Sequence, residues 1–296
     1  MRYDKSTNRI YVRQSWIGSY LICPQRGRYD MTMPQLRQGS DATAIGTGIH
    51  SAIEEYLNGK LDDSIDTFIE SCRTNVLLEL DRPNLRKSSI SNDMDSLLVI
   101  VESMAVGWWD TIRPHVPLGG VTEYKFACPI SDQCSPSSPE LWLEGTMDYL
   151  APDGTIWDWK TAGRSYSPKE KQKQSHQATS YVLAARKLGL VDTSEPTLFR
   201  FGVMLKQHTP KAHIVTVSRD AGQVEWLERQ VASIVTTAST MSTGVDWMMN
   251  DQHNLCSSMW CDYWNLCKGA HWEGSTMDPP SQEVPVAIVA KPSTDQ

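Results

Sequence analysis

One short stretch, residues 144–160 (EGTMDYLAPDGTIWDWK), restricts the fold of this chain more than any other. Its middle, residues 152–154 (PDG), has proline where a type I turn needs its fixed φ and glycine where a three-residue hairpin loop needs a positive φ. With that loop, the register of an antiparallel hairpin places Asp148 directly opposite Asp158. Lys160 leaves the same face as Asp158, because side chains two residues apart in a strand point the same way. The stretch therefore predicts a hairpin that gathers two carboxylates and one ammonium group.

Two interpretations of this polar face stay open from spacing alone. Adjacent carboxylates repel unless a cation lies between them, and carboxylate oxygens suit hard ions such as Mg²⁺ or Mn²⁺. A lysine beside such an ion could orient a water or neutralise charge on a phosphate. The alternative is a surface hairpin with an ordinary salt bridge.

The composition is that of an ordinary globular protein with room for a large core: 296 residues, 40% hydrophobic and 21% charged. We expect one domain over residues 1–273, with its core at about 120–220, and a disordered Pro- and Ser-rich tail over 274–296. The N-terminus lacks a signal peptide and no apolar run could span a bilayer, so we expect a cytoplasmic protein without membrane contact. The formal net charge of -7 means that nucleic acid would have to meet a local basic patch.

Hydrophobic periodicity predicts an α/β fold, with a helical N-terminal part and a central mixed β-sheet flanked by helices. Besides the hairpin, we expect strands at 121–130, 198–205 and 212–217. Predicted helices occupy 46–59, 62–80, 92–113, 168–188 and 224–237. Residues 1–40 show little periodicity.

Three cysteines, Cys256, Cys261 and Cys267, lie close together near the end of the chain. A reducing compartment disfavours disulfides, so metal or cluster ligation is the first alternative. A closed zinc site or a four-iron cluster needs a fourth ligand, for which the candidates are Cys23, His253 and His271. Spacing alone leaves open the choice between zinc, an iron–sulfur cluster and three unligated core thiols.

Taken together, these segments resemble the PD-(D/E)XK nuclease superfamily, and within it the RecB-like branch that includes the AddB nuclease domain and the CRISPR-associated RecB-like exonucleases. The resemblance covers about residues 15–267, and its motifs occur in the family's order. They are Cys23, the G-x-x-x-H helix of Gly46 to His50, the G-x-x-D strand ending at Asp148, the (D/E)-x-K strand of Asp158 to Lys160, the Q-x-x-x-Y helix of Gln177 to Tyr181, and the C-terminal trio Cys256, Cys261 and Cys267. The sequence departs from the family pattern at Met147, where the superfamily name has proline, at Asp158, where glutamate is commoner, and in the cysteine spacing.

The resemblance implies a restriction-endonuclease-like core that hydrolyses DNA phosphodiesters with one or two Mg²⁺ or Mn²⁺ ions. His50, Asp148, Asp158 and the carbonyl of Trp159 would bind the metal, and Lys160 would help to place the nucleophile. Gln177 would steady Lys160 or the DNA backbone, Tyr181 would lie near the strand path, and Glu123 would add a carboxylate behind the metal ligands or be an exposed strand position.

The resemblance also implies that Cys23 and the C-terminal trio hold a 4Fe-4S cluster with a mainly structural role, although zinc at the cysteines remains an alternative. Six basic residues are available for phosphates: Arg26, Arg28, Arg37, Lys169, Lys171 and Lys173. The plain interpretation of the lysine run is a solvated helix start.

The leading hypothesis is a metal-dependent exonuclease acting on single-stranded DNA or DNA ends, in recombination, repair or phage DNA processing. Its partners would be DNA and a helicase or recombinase, in a bacterial or phage-infected cell. One alternative is a non-catalytic, zinc-stabilised nucleic-acid-binding module. Another is an endonuclease or an RNA-directed relative of the same superfamily.

Overall fold

A computed structural model describes residues 1–82, 85, 93–130, 139–241 and 247–272. The chain forms two compact units: one comprises residues 38–126 and 146–224, and the other comprises 1–37, 127–145 and the residues from 225 onward. We call the first the catalytic unit and the second the cysteine unit. The expected tail at 274–296 lies outside the described residues, and the single domain over 1–273 stays a prediction.

The chain contains seven strands and nine α-helices in the part that the structure describes. The strands are β1 (Arg2–Asp4), β2 (Arg9–Arg13), β3 (Val121–Pro129), β4 (Glu140–Leu150), β5 (Ile156–Ala162), β6 (Thr197–Leu205) and β7 (Ala212–Arg219). The helices are α1 (Gln14–Ile22), α2 (Pro24–Thr32), α3 (Asp41–Leu57), α4 (Ile65–Leu80), α5 (Met94–Gly107), α6 (Pro168–Gln174), α7 (His176–Lys187), α8 (Ala221–Thr240) and α9 (Lys268–Trp272). The described part of the chain has no helix that is both long and apolar enough to cross a bilayer.

The sheet of the catalytic unit is mixed, as predicted. β4 and β5 pair antiparallel, β5 and β6 parallel, and β6 and β7 antiparallel, while β3 pairs with β4. Helices α3, α4 and α5 share one apolar core with Trp157 and Trp159 of β5. The packing of α3 on α4 is close, because a Cβ at Gly48 would lie 2.6 Å from the backbone of Val76. This α/β arrangement is consistent with a restriction-endonuclease-like core.

The predicted helix at 168–188 is wrong as a single element. It ends at Gln174 as α6 and restarts at His176 as α7. Ser175 leaves the helical conformation, and its side chain accepts a hydrogen bond from the backbone N–H of Ala178, which caps α7. The buried Arg219 stabilises the break by donating to the carbonyl oxygens of Lys171 and Ser175.

The cysteine unit contains four short elements that periodicity did not reveal. β1 pairs antiparallel with β2, and β2 pairs parallel with the first half of β4, from Arg9 opposite Glu140 to Arg13 opposite Glu144. Helices α1 and α2 follow directly, and a small core gathers Tyr29, Met33, Tyr263 and Leu266. These elements are too short for a periodic pattern to distinguish them from loops.

Candidate active site

The β4–β5 hairpin has the predicted register. Tyr149 lies opposite Trp157 and Leu150 opposite Ile156, and Gly154 in the loop has a φ of 81°. The same register, continued by one residue, places Asp148 opposite Asp158. The hairpin therefore brings both carboxylates to one place, as its turn chemistry predicted.

The two carboxylates are held by short hydrogen bonds from different elements. The backbone N–H of Trp159 donates to Asp148 Oδ2 at 2.8 Å, and Gln177 Nε2 donates to Asp158 Oδ1 at 2.7 Å. Lys160 forms an ion pair with Asp158 Oδ2. Asp158 is only 1% exposed, so its carboxylate depends on these partners for the solvation that water would otherwise supply.

The electrostatics of the pair follow from burial and from the neighbouring charges. Burial, with a smaller contribution from the charge of Asp148, raises the pKa of Asp158 to about 6 against the opposing charge of Lys160. Burial also raises the pKa of Asp148, against Lys160 and the N–H of Trp159. Burial alone would lower the pKa of Lys160, but the carboxylates of Asp158 and Asp148 raise it above its ordinary value. The lysine is therefore an ammonium at neutral pH.

His50 on α3 faces the same carboxylates. Its Nδ1 lies 3.4 Å from Asp148 Oδ2. Burial, and then the charge of Lys160, lowers the pKa of His50 to about 4. The imidazole is therefore neutral at pH 7, which is the form that ligates a metal ion.

The helix α7 supplies one hydrogen-bonding side chain and one core residue. Gln177 was expected to steady Lys160 or the DNA backbone, but its amide instead holds Asp158, the partner of Lys160. Tyr181 was expected near the strand path, yet its ring packs against Phe126 and Phe199 and is 8% exposed. Burial raises the pKa of Tyr181 to about 12, so its side chain is a neutral phenol at pH 7.

Two glutamates extend the acidic group. Glu123 on β3 has a positive φ of 47°, which is strained for a side chain of its size. Burial, then the charges of Asp148 and Glu54, raise the pKa of Glu123, so these acids act on one another. Sequence reasoning missed Glu54, although it lies one helical turn after His50 and so shares its face of α3.

The donor atoms suit a hard divalent ion. A neutral imidazole and two carboxylates are present, the backbone of Trp159 is hydrogen-bonded to His50, and carboxylate oxygens are the ligands that Mg²⁺ and Mn²⁺ prefer. The two carboxylates also need a cation, because burial and mutual repulsion disfavour their charged forms. Across the described ranges, no group of three or more His, Cys, Asp or Glu side chains is arranged to hold an ion as it stands. At the candidate site, the ammonium of Lys160 forms an ion pair with Asp158.

We expect Mn²⁺ binding to weaken as the pH falls through about 6. Protons and metal compete for Asp158, whose pKa is about 6, whereas His50, with a pKa of about 4, stays neutral over this range. Affinity should therefore fall by up to about tenfold per pH unit below that point, and calorimetric titration between about pH 5 and pH 8 measures it. The Asp158→Asn variant should lose this pH dependence. A wild-type affinity that is the same at both ends of the range would contradict the assignment.

The four cysteines named by the sequence line one cavity in the cysteine unit. Cys23, Cys256, Cys261 and Cys267 border it, together with His253, whereas His271 does not. Burial is the main reason that the pKa values of Cys256, Cys261 and Cys267 are raised, that of Cys267 to about 11. The cavity brings Cys23 together with the C-terminal trio, and sulfur is the donor that zinc and iron–sulfur clusters take. These four described side chains are not arranged to hold an ion as they stand.

The predicted phosphate-binding residues differ in their surroundings. Arg37 pairs with Asp30, with 3.0 Å between Nε and Oδ1, and Arg26 lines the cysteine cavity. Arg28 is partly buried. Lys169 and Lys173 are exposed on α6, as the plain interpretation of that run expects, while Lys171 is partly buried.

Comparison with known proteins identifies the family of this chain. The family model of the PD-(D/E)XK nuclease superfamily matches residues 14–268. No curated protein matches the chain. The crystal structure of a Eubacterium rectale protein named "Putative exonuclease" is similar in fold, with a TM-score of 0.50 and 13% sequence identity over 86% of this chain and 92% of that one. Because the family model spans the hairpin, the His50 helix and the Gln177 helix together, this chain belongs to the PD-(D/E)XK nuclease superfamily.

Proposed function

We propose that this protein is a Mg²⁺- or Mn²⁺-dependent exonuclease of the RecB-like iron–sulfur branch, acting on single-stranded DNA or DNA ends. A nuclease superfamily implies a nucleic-acid substrate, and its members generally use such divalent ions. The observation that carries the proposal is the convergence of His50, Asp148, Asp158 and Lys160 in the catalytic unit.

His50, Asp148, Asp158 and the carbonyl of Trp159 would hold the ion. When bound, a divalent ion lowers the pKa of a water molecule and neutralises charge on a phosphate oxygen. Hydrolysis forms one P–O bond to the oxygen of a water molecule, which gives up a proton, and breaks the P–O bond to the leaving sugar oxygen, which takes up a proton. The role of the protein is to place these groups and to exclude competing arrangements.

Lys160 and Gln177 prepare the site for this step. The ammonium of Lys160 lies at the carboxylates, where it orients the nucleophile and offsets charge that develops on the phosphate. Gln177 fixes the carboxylate of Asp158 through Oδ1, which leaves Oδ2 directed toward Lys160. Both contacts orient the reacting groups before the substrate arrives.

The cysteine cavity supports the iron–sulfur part of the proposal. Cys23 is far in sequence from Cys256, Cys261 and Cys267, yet all four border the same cavity. A 4Fe-4S cluster held by these sulfurs would cross-link distant parts of the chain and so lower the entropy of the unfolded state. Its role would be structural, in the cysteine unit.

The assay that tests the function compares four substrates with Mn²⁺ and anaerobically purified protein. We expect the protein to degrade end-labelled linear single-stranded DNA, while circular single-stranded DNA and matched RNA resist it and duplex DNA is attacked from its ends. Cleavage of the circular DNA would show that the protein is an endonuclease. Faster cleavage of RNA than of DNA would show that its substrate is RNA. Binding without hydrolysis, in a protein that carries one zinc per chain, would replace the proposal with a binding module.

A further inference from the structure

Lys171 of α6 is the one member of the lysine run whose charged end lies against an aromatic ring. Its Nζ is 3.9 Å from the centre of the Tyr166 ring and 5.7 Å from that of Phe201. The Tyr166 ring is itself fixed edge-on against Phe201, with 5.9 Å between ring centres. A cation over an aromatic face is attracted to it, and the attraction grows when water is partly excluded. The ammonium is therefore held in place.

The backbone of Lys171 is fixed as well. Arg219 Nη2 donates to the carbonyl oxygen of Lys171 at 3.2 Å. The next residue, Gln172, exchanges two hydrogen bonds of 3.1 Å with the backbone of Ser218 on β7. A lysine on an ordinary surface helix loses considerable side-chain entropy when it binds a phosphate. Lys171 has already lost part of that freedom.

The fixed ammonium lies near the candidate active site, because Phe201, which contacts both Tyr166 and Lys171, is paired with Asp158 in the β5–β6 register. Burial lowers the pKa of Lys171, and so does the charge of Lys160, while Glu170 and Asp158 oppose the shift. The pKa of Tyr166 is raised by burial and responds to the same Lys160 and Asp158. Glu170 is exposed to solvent and Asp158 is paired with Lys160, so neither carboxylate balances the charge of Lys171 fully. An incoming phosphate would supply that counter-charge.

We propose that Lys171, positioned by Tyr166, binds the phosphate adjacent to the scissile one in the nucleic-acid strand. This inference rests on the proposed nuclease function and deepens it, since it assigns a residue that holds the strand beside the metal-binding carboxylates. A partly desolvated, preorganised cation contributes more to such a contact than an exposed lysine does.

The Lys171→Ala variant tests the inference against Lys169→Ala and Lys173→Ala, which remove exposed charges from the same helix. We expect Lys171→Ala to raise KM for single-stranded DNA about tenfold with kcat nearly unchanged, because one charge-assisted contact is lost from binding. For Lys171→Ala, fluorescence anisotropy with Ca²⁺ in place of Mn²⁺ should show DNA binding that depends less on salt than in the wild type. The slope of log affinity against log salt concentration should be smaller by about 0.7. The control variants should change KM by less than about twofold. Thermal melting checks that all variants fold alike.

A DNA substrate that carries a neutral methylphosphonate next to the scissile phosphate tests which phosphate Lys171 contacts. For the wild type, kcat/KM should be about tenfold lower on this substrate than on unmodified DNA. For Lys171→Ala, the two substrates should give nearly the same kcat/KM, because the charge that contacts this phosphate is already absent. Tyr166→Leu should resemble Lys171→Ala, and Tyr166→Phe should resemble the wild type. Equal behaviour of Lys171→Ala and the control lysine variants in binding would overturn the inference. Failure of the wild type to hydrolyse any nucleic acid would instead count against the nuclease function, and the anisotropy comparison would still decide the role of Lys171.

Discussion

Asp158→Asn and Lys160→Gln will each lower hydrolysis of single-stranded DNA by about a thousandfold or more. Asp158→Asn removes a carboxylate charge that would bind the metal ion. Lys160→Gln removes the ammonium group that forms an ion pair with Asp158. Metal-ion and charge stabilisation of a transition state amount to several kcal/mol, and about 4 kcal/mol corresponds to a factor of about a thousand. Initial rates on end-labelled DNA with saturating Mn²⁺ measure the effect.

These two variants are chosen because they keep the shape of the buried pair. Removing one charge of a buried ion pair leaves the other uncompensated, which costs about 3–5 kcal/mol of stability when the partner is simply truncated. Asp158→Asn retains an oxygen that accepts from Gln177, so the fold should survive. Asp62→Asn and Lys60→Gln, at exposed positions outside the candidate site, remove the same charges and should retain full activity. Wild-type rates in the two site variants would show that the hydrolysis comes from elsewhere.

Cys261→Ala will abolish iron and sulfide binding and destabilise the cysteine unit. The wild type, purified without oxygen, should be brown and hold about four iron and four sulfide ions per chain. Losing a cross-link between Cys23 and the C-terminal trio should lower the free energy of unfolding by about 4 kcal/mol or more, since a long loop is no longer closed. Iron and sulfide analysis with urea denaturation measures both quantities.

Cys72→Ala is the matched control for this variant. Cys72 is a fully buried thiol of the core formed by α3, α4 and α5, and it does not belong to the cysteine unit. Its removal should leave the iron content unchanged. A colourless wild type with one zinc and no sulfide, or unchanged iron in Cys261→Ala, would contradict the cluster.

The hairpin shows how much local sequence can determine. The Pro-Asp-Gly loop defines the pairing of Tyr149 with Trp157, and Gly154 takes the positive φ that its type permits. The turn, its register and the face shared by Asp158 and Lys160 depend on residues close in sequence, so no distant element is needed to predict them.

The break between α6 and α7 shows where local sequence was not enough. The sequence predicted a single helix over 168–188, yet Arg219 of β7 donates to the carbonyl oxygens of Lys171 and Ser175 at the break. The break matters for function because it places Gln177 in the first turn of α7, where it reaches Asp158. A hydrogen bond from a distant residue leaves no periodic trace in the sequence of the helix.

The sequence by itself determined the candidate residues: the acids and the lysine of the hairpin, the histidine one helix away and the four cysteines. Only the tertiary structure decided their charge states and their partners. It lowers the pKa of His50 and raises that of Asp158. It also brings Glu54 close enough to raise the pKa of Glu123, and it places the ammonium of Lys171 over the ring of Tyr166. The physical reason is that periodicity and turn chemistry act between near neighbours, whereas desolvation and charge coupling depend on elements that meet only after the chain has folded.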